Sequence, residues 1–284
     1  MCSSSALRGR VHAEPIHVNI IRLTHSERST ARLLDSRTLR ELALDPLLRS
    51  EATLSALFHE GAVVCEAASD RVLYQEVNER LLRYGQSSGE GLDSCVFLNA
   101  QNWQTVARMI EPLRKVGVAA AAVLDADVLF GSELTQILKA AQVNQIDRMA
   151  WLQQRGALRK KIARRLKIKD EKKVSLKSNV ISQLTRGEAR TFKTLRTNMA
   201  EYGVFIVPVG ELEDWFSYLG IKPPAKTKKA KWLRSTLDRL GVDPTHADYV
   251  RPSSKDIWRF MREVNQWILN PDREGISPTP EDDD

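Results

Sequence analysis

Carboxylates follow three separate apolar runs in this 284-residue chain, and that placement is where its chemistry is most visible. Glu66 comes directly after Val63, Val64 and Cys65, with Asp70 four residues on. Asp125 and Asp127 close the run VAAAAVL, and Glu211, Glu213 and Asp214 follow GVFIVPVG. A carboxylate so close to a buried strand is costly without a partner. Acids massed in one place raise one another's pKa unless a cation intervenes. An oxygen-only set with no His or Cys favours Mg²⁺ or Mn²⁺ over zinc. If the chain stays extended, the i, i+2 spacing of Asp125 and Asp127 sends both side chains to the same side. Blander roles stand beside these: Asp70 as a helix cap, and Glu213 and Asp214 as acids that favour a helix N-terminus.

The elements that must position these acids read as an α/β protein. IHVNIIRL alternates as a half-buried strand without evident partners, and Leu39, Leu42, Leu47, Leu48, Leu54 and Leu57 recur at helical spacing in two helices around Asp45 and Pro46. From Gly61 the pattern changes to strand and helix in turn: AVVCE, SDRVLYQEVNERLLRYG, CVFLN, QNWQTVARMIEPLRKVG with Gly117 as its stop, then VAAAAVLDAD. Such alternation implies a parallel sheet with right-handed crossovers. After Phe130 the sequence turns helical to Tyr202, with breaks expected near Lys169 to Lys173 and at Gly187, before GVFIVP returns as a last strand. A helix from the Lys226 region and another from Ser253 to Leu269 complete the chain. Ligands of an open parallel sheet collect beyond the carboxyl ends of its strands, which is where the acids fall.

VVCEAASDRVLYQEV followed by AAAAVLDADVL resembles the Toprim domain, with an acid at one strand end and a DxD after a later strand. The late GELED is similar to the acidic motif of the OLD (overcoming lysogenisation defect) nucleases, in which a Toprim nuclease is fused behind an ABC-type ATPase. The resemblance covers roughly residues 54–216. It implies a Toprim, Rossmann-like parallel sheet flanked by helices with a helical insertion before the last strand, and a Mg²⁺- or Mn²⁺-dependent endonuclease acting on DNA. Glu66, Asp70, Asp125, Asp127, Glu211 and Glu213 would hold the metals. Glu66, Asp125 and Asp127 would be catalytic, together with a basic residue that falls on Lys255 or Lys222. Ala67 stands where the family usually has glycine, and Gly210 or Glu211 where it commonly has a hydroxyl residue. The expected division is 1–55 as a remnant or linker of an ATPase domain, 56–130 as the first part of the core, 131–202 as a basic helical insertion, 203–220 as the last strand and acidic motif, and 221–284 as C-terminal helices with an acidic disordered tail. No GxxxxGK[ST] phosphate loop occurs, so an ATPase is expected as a separate chain, or this chain as a truncated relative. The resemblance also allows a homodimer. Its alternative is a non-catalytic remnant that binds nucleic acid or a partner. A Toprim protein of topoisomerase or primase type fits less well, because zinc-binding cysteines are missing.

Composition narrows the classes further. Forty-three Lys and Arg against 36 Asp and Glu leave a net charge of +7, concentrated in RGALRKKIARRLKIKDEKKVSLK from Arg155 and KTKKAKWLR from Lys226. These runs are either solvated helix faces or a track for a phosphate backbone. Hydrophobic residues at 42% suffice for a sizeable core. No apolar run reaches the roughly 18 residues of a membrane span, and the first residues lack a secretory pattern, so a cytoplasmic protein is expected. Cys2, Cys65 and Cys95 suggest neither a disulfide framework nor a zinc cage. HEGAV after Leu57 and Phe58 has no second His for a zinc protease, and Ser55, Ser69 and Ser132 have no triad partners. The six tryptophans read as packing, with Trp232 among lysines also placed to stack on a base.

Overall fold

Runs of buried residues form the centre of a single parallel sheet. The computed structural model describes residues 18–25, 29–44, 51–84, 90–219 and 229–276. The start of the first strand at Ile16, the Asp45–Pro46 connection, Lys222, the beginning of the Lys226 run and the acidic tail lie outside the described residues. β1 (Ile20–His25) and β2 (Ser29–Leu34) make an antiparallel hairpin, followed by α1 (Ser36–Leu44), α2 (Glu51–Ser55) and a 3-10 turn at Ala56–Phe58. Then come β3 (Gly61–Cys65), α3 (Ala68–Tyr84), β4 (Cys95–Asn99), α4 (Trp103–Lys115) and β5 (Ala119–Leu124). Helices α5 (Leu134–Ala140), α6 (Gln145–Arg165), α7 (Ser178–Ile181) and α8 (Arg186–Glu201) form an insertion between β5 and β6 (Val204–Ile206), and α9 (Lys229–Leu240) and α10 (Asp256–Leu269) follow. The four parallel strands lie in the order β4-β3-β5-β6. The architecture is a mixed α/β, Rossmann-like fold. No helix among the described residues is long and apolar enough to cross a membrane.

The central strands β3 and β5 are buried along their whole length, as a strand covered on both faces requires. Their side chains divide by the period of two. Ala62, Val64, Ala120, Ala122, Leu124, Val204 and Ile206 face the core shared with α4, α5, α6 and α8. Val63, Cys65, Ala119, Ala121, Val123 and Phe205 face the core shared with α3, α9 and α10. Helix α10 contributes Ile257, Trp258, Phe260, Met261, Val264, Trp267 and Ile268 to that second layer. At roughly 1.5–3 kcal/mol per large buried apolar side chain, this seam is strong enough to make α10 part of the sheet's packing. Trp232 is buried too, so its ring packs in the core and is not available to stack on a base.

Arg114 locks the layers together from the end of α4. It is fully buried and donates to the carbonyl oxygens of Ala120 (2.9 Å), Ala141 (3.2 Å), Tyr202 (2.9 Å), Gly203 (3.2 Å) and Gly275 (3.0 Å). Burial pulls its pKa down to about 9, and the carbonyl dipoles replace the lost water.

Two local expectations change. IHVNIIRL has a partner after all, because STARLL pairs with it, placing Ile20 opposite Leu34 and Arg22 opposite Arg32. The break expected at Gly187 falls directly ahead of it, between α7 and α8, and Gly187 itself lies in the first turn of α8, inside the capping box of Thr185 and Glu188, where backbone N–H groups have no intrahelical partner to lose.

Candidate functional site

Register brings the strand ends level. Cys65 is paired with Val123 on one side and Asn99 on the other, and Leu124 is paired with Ile206. Glu66 and Asp125 therefore leave adjacent central strands at the same edge, and the Asp125 N–H donates to Glu66 Oε1 at 2.7 Å. Beyond β6 the chain folds back over this edge, with the Ala126 N–H donating to the Gly210 carbonyl at 2.8 Å. Gly210 has φ +118, and a Cβ there would stand 2.8 Å from the Ser178 backbone nitrogen, so the approach of the GELED loop to β5 and α7 requires glycine.

Asp70 lies in the first turn of α3 and is 7% exposed. Its Oδ2 accepts from the Ala67 N–H at 3.2 Å and its Oδ1 from the Ser69 hydroxyl at 3.1 Å. The capping role is thus real, and it coexists with closeness to the other acids. Ala67 is not among the residues with positive φ, so no glycine is needed there.

Burial dominates the electrostatics of the trio. It raises Glu66 to about 7, aided by the charges of Asp70 and Asp127 and opposed by the Asp125 N–H and Lys229. It raises Asp70 to about 6, opposed by the Ser69 hydroxyl and Lys229. Asp125 is pushed well above the ordinary carboxylate range by burial and then by the charges of Glu66, Asp70, Glu213 and Glu211. Six acids from three strand ends thus share one field.

Asp127 departs from the expected geometry. Asp125 is extended (φ −60, ψ 155), but a 3-10 turn begins at Ala126, so the i, i+2 pair does not stay on one extended face. Both Asp127 oxygens accept from the Ser175 hydroxyl at 2.8 Å, and the Leu176 N–H donates to Oδ1. This aspartate fastens the insertion to the end of β5.

Two lysines complete the rim. Lys177 Nζ pairs with Glu211 at 2.7 Å, and Lys229 Nζ pairs with Glu213 at 3.0 Å. The hydrogen bond to Glu211 raises the Lys177 pKa. Burial alone would lower that of Lys229, but the Glu213 carboxylate outweighs it. Glu213 is 6% exposed, and Asp214 Oδ2 accepts from the Glu211 N–H at 3.1 Å. Beneath the trio, Trp215 Nε1 donates to the buried Tyr74 hydroxyl at 3.3 Å, with Asp70 and Asp125 close enough to help burial raise the phenol's pKa. Lys255, by contrast, is exposed at the start of α10, and among the described residues no ion pair joins its amine to the acids. Sequence reasoning missed Lys177, Lys229 and Tyr74. The first two were visible only as members of basic runs.

The donor chemistry of Glu66, Asp70, Asp125 and Glu213 suits a hard divalent cation: all are carboxylates and largely buried, and burial raises the pKa of the first three. Asp127 is held by Ser175 and Leu176, and Glu211 and Glu213 are each ion-paired with a lysine. Among the described residues, no three His, Cys, Asp or Glu side chains are gathered around one point as a metal ion would need. Side-chain rotation at the rim would have to accompany binding.

Fold and site together define a class, a Rossmann-like α/β protein with a buried carboxylate rim at the carboxyl ends of its central strands. No protein-family model matches the chain, and no curated protein matches it significantly.

Proposed function

We propose that the chain is a Mg²⁺- or Mn²⁺-dependent endonuclease of the OLD-family Toprim type, cutting phosphodiester bonds of DNA and acting with, or derived from, an ABC-type ATPase. The observation that carries the reading is that Glu66 and Asp125 leave adjacent central strands at one edge, joined by the Asp125 N–H, with Asp70 buried at the start of the next helix and its charge acting on both. Glu66, Asp70, Asp125 and Glu213 would hold the metal. A bound divalent cation supplies Lewis acidity toward water and toward the charge that develops on phosphate. The chain's own contribution is to strip water from the carboxylates, to orient Glu66 through the Asp125 N–H, and to offer Lys177 and Lys229 at the rim for a phosphate.

The insertion supports a nucleic-acid substrate. Arg155, Arg159 and Arg165 are spent internally, on the carbonyls of Leu129, Gly131, Phe130 and Glu171 and on Glu188. Lys160, Lys161, Arg164, Lys167 and Lys169 remain exposed on the same segment that ends in Lys177. These exposed cations are a candidate track for a phosphate backbone, and Lys177 at the end of the segment is paired with the rim acid Glu211.

A second reading is favoured by the two ion pairs. If Lys177 and Lys229 neutralise the rim permanently, the chain binds nucleic acid or a partner without cutting. Plasmid nicking in Mg²⁺ or Mn²⁺ separates the two. The wild-type chain should nick, and Asp125→Asn should lower the rate by at least about a hundredfold while keeping its melting profile. Equal cleavage by wild type and Asp125→Asn, with contaminating nuclease excluded, refutes the assignment.

A further inference from the structure

Strand β6 forms one outer edge of the parallel sheet. It bonds to β5 through the Gly203 carbonyl, which accepts from the Ala122 N–H at 2.9 Å, and the Val207 N–H, which donates to the Leu124 carbonyl at 2.8 Å. The alternation of a ladder turns Ile206 the other way, and its carbonyl accepts from Arg196 Nε of α8 at 2.8 Å. Along this edge, between α8 and α10, lies a cavity of about 410 Å³. Phe205, Phe260 and Trp267 give it an aromatic lining, the Phe205 ring meeting the other two edge-on at 6.2 and 6.5 Å between centroids.

Charge along the groove is uneven. Glu201 and Asn270 line one end, where Trp267 Nε1 donates to the Glu201 carbonyl at 2.9 Å. Arg196 lines the other, five residues back along α8. Apart from the Phe192 ring, 5.6 Å from its Cζ, this guanidinium is engaged only through Nε, and among the described residues its Nη groups have neither an acceptor nor a carboxylate partner. Burial draws its pKa down to about 10, with Glu263 opposing and Arg259 adding to the shift. Glu263, on the facing helix, is itself paired with Arg259 at 3.5 Å. Lys193 is exposed one turn before Thr197, on the face of α8 that lines the groove. This end therefore holds cations with donors to spare.

The chain returns to the Glu201 end after α10. Arg114 Nη1 donates to the carbonyls of Tyr202 and Gly275 at 2.9 and 3.0 Å, and a Cβ on Gly275 would stand 3.1 Å from the Tyr202 carbonyl. Residues 277–284, outside the described residues, read SPTPEDDD. Proline-rich sequence of this kind is what aromatic grooves recognise, because its fixed φ lowers the entropy lost on docking. The six steps from Gly275 to Glu281 cover about 19 Å as polyproline, against about 8 Å from Glu201 to Arg196 along a helix.

We propose that residues 277–284 of this chain dock in the groove between α8 and α10, with Pro278 and Pro280 against the aromatic lining and Glu281 to Asp284 on Arg196 and Lys193. The polarity of the two partners agrees. The neutral half of the segment passes Glu201, which would repel an acid, and the acidic half meets the unspent guanidinium. Any other acidic peptide has to displace this segment to use the groove.

The test uses the full chain and a fluorescein-labelled SPTPEDDD peptide, followed by anisotropy at about 0.1 M salt. Glu281→Gln, Asp282→Asn, Asp283→Asn and Asp284→Asn, made together, should open the groove. The neutralised chain should then bind the peptide at least about tenfold more tightly than the wild type, whose own segment competes at an effective concentration on the order of millimolar. On the neutralised background, Arg196→Gln should weaken peptide binding by about tenfold and Lys193→Gln by about threefold, the sizes expected for a charge-assisted hydrogen bond and an exposed ion pair. Lys139→Gln, an exposed charge-matched control on α5, should leave it unchanged. No binding to the neutralised chain by about 1 mM peptide overturns the proposal. So does equal binding to the wild type and the neutralised chain, undiminished affinity in both groove variants, or a loss in Lys139→Gln as large as theirs. If neutralisation instead dissolves a dimer seen in sedimentation, the segment docks on a second copy, and docking within the chain is overturned. Lys193 is exposed, so its variant can be read even if Arg196→Gln fails to fold.

Discussion

The folding stability of the metal-free protein should fall as pH rises through the range where Glu66 and Asp70 ionise. Glu66 moves from its ordinary 4.5 to about 7 in the folded chain, and Asp70 from 3.8 to about 6. Between those limits the folded protein holds protons that the unfolded chain has released, so each step up in pH favours unfolding. Below about pH 4 both states are protonated and the contribution is fully present; above about pH 7 it is lost. Shifts of this size correspond to about 3 kcal/mol for either carboxyl taken singly, and to less than twice that jointly because each ionisation changes the other. Against a typical net stability of roughly 5–15 kcal/mol, the loss is readily measured. Urea melts in chelator between about pH 4.5 and 7.5 provide the assay. Glu66→Gln should remove one carboxyl's share of the slope. Added Mg²⁺ or Mn²⁺ should stabilise more at the upper end, because a cation favours the ionised acids. Parallel slopes for wild type and Glu66→Gln, or metal stabilisation that is the same at both ends, would refute the picture of a coupled, charge-starved rim.

Other perturbations have equally definite outcomes. Lys229→Ala removes a charge that holds down the pKa of both Glu66 and Asp70, so the pH midpoint of the stability loss should move upward; an unmoved midpoint means that Lys229 does not share their field. Arg114→Met leaves five carbonyl oxygens without their donor and should cost about 3 kcal/mol or more in urea melts, since buried acceptors lose their partner and the site cannot rehydrate. Gly210→Ala should separate the GELED loop from α7 and slow any metal-dependent cleavage more than it lowers the melting temperature.

The parallel sheet was legible because its central strands are unbroken apolar runs between clear helix signals, and an acid directly after each run marks the edge where chain direction forces it to lie. The hairpin's second strand was hidden because STARLL offers one apolar residue to the core, Leu34, and spends its outward positions on Ala31 and Leu33. Asp127 was misplaced for a related reason. Hydrophobic periodicity says nothing about a 3-10 turn, and the partners that claim this side chain, Ser175 and Leu176, come from an insertion whose path is set by tertiary packing. The same holds for the cations. Lys177 and Lys229 look like any other members of basic runs, and only the fold distinguishes them from Lys255.

Because β6 is a neighbour of β5 in space but comes after an entire helical subassembly in the chain, the rim is completed in stages during synthesis. Strands β3, β4 and β5 can zip together before β6 has been made. Glu211 and Glu213 join them only once the inserted helices have packed and shortened the path back. A nascent chain therefore carries four of the six acids of its edge, unbraced by either lysine, for as long as it takes to translate and collapse the segment in between.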